Sequence, residues 1–122
     1  MYKNILICAV FVFFALCVNV ALSEMDYPQE LKKEIAPYPK AKIVQTVKAS
    51  ETVMVNMEVS EKPDKIFEFY RKELETKGWT ILGEIKQQGH SSLMGEKGSK
   101  NIVVNIADQS GKSMISLTLA PK

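Results

Sequence analysis

The chain has 122 residues, 46% of them apolar and 25% charged, which fits a single globular domain and excludes a disordered polymer. A formal net charge of +2 gives no electrostatic basis for nucleic-acid binding. Both cysteines, Cys8 and Cys17, fall inside an apolar N-terminal run, so a disulfide scaffold and thiol chemistry are excluded from the remainder.

Residues 5–22 are apolar apart from Asn19. Lys3 ahead of this run and Ala21-Leu22-Ser23 behind it have the order of a secretory signal peptide, residues 1–23, cleaved before Glu24. The competing reading is a retained membrane anchor, since these 18 residues would rise about 27 Å as a helix. Lipidation at Cys17 is disfavoured by bulky Leu16, where a lipobox needs a small residue. On each reading the rest of the chain is expected to be exported, to the periplasm or beyond. A membrane is met only through the N-terminal segment if it is uncleaved.

Residues 24–37 read as a linker with a short helix over residues 29–35, opened by Pro28 and ended by Pro37, with Leu31 and Ile35 on one side. Pro37-Tyr38-Pro39-Lys40 forces an extended or turn conformation, and a single domain is expected over residues 38–122. Strands are predicted over residues 42–49 and 52–60, the second alternating Val53, Val55, Met57 and Val59 with Met54, Asn56, Glu58 and Ser60. A helix follows over residues 63–77. Pro63 suits its first turn, Asp64 complements its dipole, Ser60 is its expected cap and Gly78 its left-handed stop. Four more strands, over residues 79–86, 91–96, 101–107 and 113–120, are separated by Gly89-His90, Gly98-Ser99 and Ser110-Gly111 turns.

The order β-β-α-β-β-β-β predicts an α+β fold: an antiparallel sheet of five to six strands with one long helix on one face, preceded by the N-terminal signal helix. At 100° per residue, Ile66, Phe67, Phe69, Tyr70 and Leu74 form one arc of that helix. The arc is expected to face Val53, Val55, Val59, Ile81, Ile85, Ile102, Val104, Ile115, Leu117 and Leu119, with Trp79 closing the end of the core. Glu68/Lys72 and Glu73/Lys77 are spaced as helical ion pairs.

Residue types that carry chemistry are sparse. His90, the single histidine, falls at a hairpin tip beside Ser91 and Ser92, and neighbours on a loop do not make a triad. One histidine and no exported cysteine leave no metal-ligand set, and no cofactor is expected. Gly111-Lys112-Ser113 is a fragment of a phosphate loop, but Ile106 stands where the first glycine belongs, and a strand pattern follows. Glu73 falls inside the apolar arc, where burial would raise its pKa, yet Lys77 is one turn away. Met54 and Met57 point to opposite faces of a strand, which spoils chelation of a soft metal and favours core filling. No catalytic residue is expected.

One helix covers one face of a sheet. The other face is expected to present Val44, Met54, Leu82, Met94, Val103 and Met114 among Asn56, Glu58, Glu84, Asn101, Asn105 and Ser116, a partly apolar candidate interaction surface. Scattered apolar residues on a wet face are also ordinary, and residues 27–35 are available to cover it.

Tyr38-Pro39-x-Ala41-Lys42 and Pro63-Asp64-Lys65-x-Phe67-x-Phe69-Tyr70-x-x-x-Leu74-x-x-x-Gly78-Trp79 resemble a pattern in small exported or lipid-anchored bacterial domains of unknown function. The residues that match are architectural. The resemblance implies the α+β fold and an envelope address, and it brings no activity and no site residues. The first expectation is therefore a non-enzymatic binding domain of the cell envelope, meeting an envelope protein or a second copy through the open face. The alternative is a small-molecule or lipid carrier, with an apolar cavity between helix and sheet lined by Phe67, Tyr70 and Trp79.

Overall fold

Strand β2 (Thr52–Val59) shows the period-two pattern most clearly: Val53, Val55, Met57 and Val59 are buried while the residues between them are half-exposed. The computed structural model describes residues 26–122; the expected signal peptide or membrane anchor, residues 1–23, lies outside the described residues. The elements in chain order are α1 (Gln29–Lys32), β1 (Lys42–Ala49), β2, α2 (Pro63–Thr76), β3 (Thr80–Gln87), β4 (His90–Lys97), β5 (Lys100–Gln109) and β6 (Lys112–Pro121). All six strands join one antiparallel sheet in the order β1-β2-β6-β5-β4-β3. The last four strands form a meander, and α2 leaves β2 to reach β3 at the far edge. It therefore has to cross a face of the sheet, and it packs there on β3, β4 and β5.

Helix α2 starts with Pro63 at its first position and Asp64 in its first turn, but no side chain caps it, so the expected Ser60 cap is not formed. Its stop matches the expectation. Gly78 has φ +86°, the Trp79 N–H donates to the Leu74 carbonyl at 2.9 Å, and the Gly78 N–H to that of Glu75 at 3.2 Å. These two bonds are a Schellman motif. Ile66, Phe67, Tyr70 and Leu74 are buried against Val55, Ile102, Val104, Ile106, Ile115 and Leu117, each large side chain contributing about 1.5–3 kcal/mol.

Two bulges break the alternation that the sequence suggests. In β1 the register shifts between Ile43 and Gln45, leaving Val44 without a partner; in β3 it shifts between Ile81 and Gly83, leaving Leu82 without one. Past a bulge every side chain changes face. Ile81 accordingly packs on the core, but Ile85 turns away from it and is 42% exposed, which corrects its expected place in the core. Glu84 moves the opposite way, off the open face and towards α2, where its Oε1 lies 3.0 Å from Arg71 Nε. Lys86 follows it, 3.7 Å from Glu68 and 4.5 Å above the Phe67 ring. Glu68 thus pairs across to the sheet instead of with Lys72, while Glu73 and Lys77 do pair, at 3.8 Å.

Residues 26–39 form a strap on the helix side of the sheet. Leu31 and Ile35 are fully buried in the same core as α2, because a four-residue spacing puts both on one side of the α1 turn. The open face is left uncovered by this segment.

Candidate functional site

The strand register shows which of the candidate face residues meet. Val47, Met54, Thr118, Val103, Met94 and Gly83 stand opposite one another across all six strands, so Met54, Val103 and Met94 share one row. The next row is polar: Gln45, Asn56, Ser116, Asn105 and Ser92, ending on Ile85. Within it the Ser92 hydroxyl donates to Asn105 Oδ1, and Asn56 Nδ2 donates to Gln45 Oε1 at 3.3 Å. Met114 stands in the third row beside Ala107 and Glu58. Val44 and Leu82 are exposed at the two bulges near opposite edges of the sheet and do not join these rows. The face is thus a narrow methionine-valine band beside a hydrogen-bonded amide-hydroxyl band.

Phe67, Tyr70 and Trp79, the expected cavity lining, are buried in the packed core. Lys97 lies 5.1 Å from the Trp79 ring and the indole N–H donates to the Glu34 carbonyl at 3.0 Å. The Tyr70 hydroxyl is buried without a hydrogen-bond partner; it approaches the Tyr38 backbone but makes no well-formed bond. Burial, with the neighbouring Tyr27 and Glu73, pushes its pKa far up.

A cleft of about 610 Å³ opens instead between the strap and one end of the sheet. Its apolar lining includes Val53, Leu119 and Pro121, and its charged lining is Glu30, Lys33, Glu34, Lys48, Glu51 and Lys100. Lys48 bonds Glu30 at 2.8 Å and Lys100 bonds Glu34 at 2.7 Å, so each ion pair ties the strap to the sheet. Glu34 is also 2.7 Å from Lys97, and these two lysines, Lys100 first, hold its carboxyl below the usual range. Lys48 does the same for Glu30. The arrangement offers an apolar surface beside both signs of charge. Sequence reading missed this site because its charges come together from distant segments, the paired Glu34 and Lys100 being 66 positions apart. One signal was present: burying Leu31 and Ile35 turns Lys33 outward and leaves Glu30 and Glu34 flanking the buried side, within reach of the sheet.

His90 is exposed at the start of β4, and Glu73 is largely covered and paired with Lys77. Among the described residues there is no group of three or more potential metal-ligating side chains, and no helix long and apolar enough to cross a membrane.

None of the curated proteins compared with the chain matches it. A family model described as START domain-like matches residues 43–112, from β1 through α2 to the first residue of β6. That stretch is more than half of the chain and contains its helix and most of its sheet, and the chain belongs to the START domain-like family.

Proposed function

We propose that this protein is an exported, non-enzymatic binding domain whose ligand is a small amphipathic molecule held in the cleft between the strap and the sheet. The observation that carries this reading is the cleft itself: about 610 Å³, lined by apolar Val53, Leu119 and Pro121 together with lysines and glutamates. That volume is within the range of small-ligand sites, and an apolar lining with a few charged groups fixes both affinity and orientation. Paired lysines and glutamates in the lining suit a zwitterionic head better than a purely anionic one. Membership of a START-like, ligand-binding fold supports the same reading. The reading shifts the carrier alternative from the helix-sheet interface, which is packed, to the strap.

Fluorescence anisotropy with a labelled zwitterionic single-chain amphiphile, below its micelle concentration, tests it. Ser99→Trp, at an exposed turn that lines the cleft, should weaken binding by tenfold or more. Equal affinity of the two proteins would place the ligand elsewhere.

The row of Met54, Val103 and Met94 favours a second reading, docking of an envelope protein on the open face. Affinity capture from envelope extracts, compared with a Met54→Lys, Val103→Lys variant, separates the two. Partners retained by the variant would remove this second reading.

A further inference from the structure

We propose that the strap exchanges between two copies of this chain, with Lys40 as its hinge. The connection from strap to sheet runs Ala36-Pro37-Tyr38-Pro39-Lys40-Ala41. Each proline has a fixed φ, and Ala36 and Tyr38, each preceding a proline, are confined to extended conformations. Lys40 and Ala41 escape these constraints, and Ala41 is packed against the core, which leaves Lys40 to swing. It sits at φ +66°, in a turn closed by the Ala41 N–H donating to the Tyr38 carbonyl at 3.1 Å. With Pro39 and Lys40 central, this is the type II position that favours glycine or asparagine, so the lysine Cβ is strained there. A change of Lys40 to an extended φ removes that strain and carries residues 26–39 off their own body.

What the strap leaves behind is a groove that fits one partner by construction: the strap of a second copy. Glu34 would again find Lys97 and Lys100, and Leu31 and Ile35 would refill the core, because these contacts join the strap to residues beyond the hinge. The closed and exchanged forms therefore differ in hinge strain and in the cost of association. Short, strained hinges are the setting in which exchange occurs. In the exchanged pair each cleft is completed by the other copy's Glu30, Lys33 and Glu34, so the partner contributes to the site. The inference stands on the strap's contacts and hinge, whatever occupies the cleft.

The test uses the full chain in non-ionic detergent, in a Cys8→Ala, Cys17→Ala background. One preparation carries Glu34→Cys and a second Lys100→Cys; they are mixed and treated with a short bismaleimide. Covalent heterodimers are expected. A control pair, Glu34→Cys with Gln109→Cys at the other end of β5, should give at least tenfold less. Lys40→Gly, which relaxes the turn, should lower the heterodimer yield several-fold. Lys40→Pro, which cannot adopt a positive φ, should raise it. Equal cross-linking by the test and control pairs, no heterodimer at all, or a yield unchanged by Lys40→Gly would each overturn the proposal, and the glycine variant decides even where the proline variant fails to fold.

Discussion

The Trp79 indole N–H donates to the Glu34 carbonyl oxygen at 3.0 Å, joining the residue that completes the α2 stop to the strap 45 positions upstream. The backbone of the same tryptophan closes the Schellman motif on Leu74. One residue therefore ends the helix and fastens the strap. Trp79→Phe keeps most of the ring, and with it the contact with Lys97, but removes the donor. It is expected to cost about 1–2 kcal/mol in urea denaturation, the worth of a part-buried hydrogen bond whose acceptor is left unpaired. Hydrogen exchange should quicken at the Lys32 and Ile35 amides while those of α2 keep their protection. Equal loss of protection in both would mean that the ring, not the bond, holds the strap.

Two glycines in neighbouring strands should respond differently to alanine. A Cβ on Gly95 would lie 3.1 Å from Ile102 Cγ2 and 3.6 Å from Trp79 Cβ, both held in the core, whereas one on Gly83 would meet the terminal methyl of Met94 at 2.9 Å. A thioether end on the open face can rotate away; a β-branched side chain in a packed core cannot. Gly95→Ala is expected to destabilise by roughly 1–3 kcal/mol. Gly83→Ala should cost less, about 0.5 kcal/mol or below, and nothing in a Met94→Ala background. The order of the two melting temperatures checks this.

Local rules recovered the elements and their order because the cues were strong where they were used: Gly78 as a stop, Pro63 as a start, and Val53 to Val59 in strict alternation. They misplaced Ile85 and Glu84 because a bulge at Leu82 inserts one residue and reverses the faces after it. Nothing in Thr80-Ile81-Leu82-Gly83 marks the bulge beyond a glycine inside a strand. The cleft was hidden for a different reason. Glu30, Lys48 and Lys100 look like ordinary surface charges until folding brings their segments together. Leu31 and Ile35 did announce the buried side of the strap, and the sheet face on which that side would settle depended on tertiary packing.

Tyr70→Phe should stabilise the domain or leave it unchanged. The hydroxyl is buried and unpartnered, so its removal eliminates a desolvated polar group without breaking a bond. A gain of about 0–1.5 kcal/mol in chemical denaturation is expected. The pH profile gives a second readout. Burial raises the Tyr70 pKa, so its neutral form favours the folded state fully below the unfolded value near 10, and that contribution is lost as pH rises above it. The variant should lose stability less steeply on the alkaline side. A loss of more than about 1 kcal/mol at neutral pH would show that the hydroxyl makes a stabilising bond.

Acid should loosen the strap before it unfolds the sheet. The Glu34 carboxyl is held below its ordinary range by hydrogen bonds from Lys100 and Lys97, and Glu30 by Lys48. A depressed folded pKa means that the stabilising contribution is present above the unfolded value near 4.3 and disappears as pH falls through the folded one. Glu34 dominates because its side chain is only 12% exposed, whereas solvent screens the Glu30 pair. The protection factor of the Ile35 amide, which bonds the Leu31 carbonyl at 2.8 Å, should fall several-fold between neutral pH and about pH 3, and that of the Leu117 amide in β6 should hold. Glu34→Gln should show the loosened strap already at neutral pH, with no further acid step. A wild-type protection factor that is flat over this range would assign the strap's hold to Leu31 and Ile35 alone, and an acid step that persists in Glu34→Gln would assign the acid response to Glu30 instead.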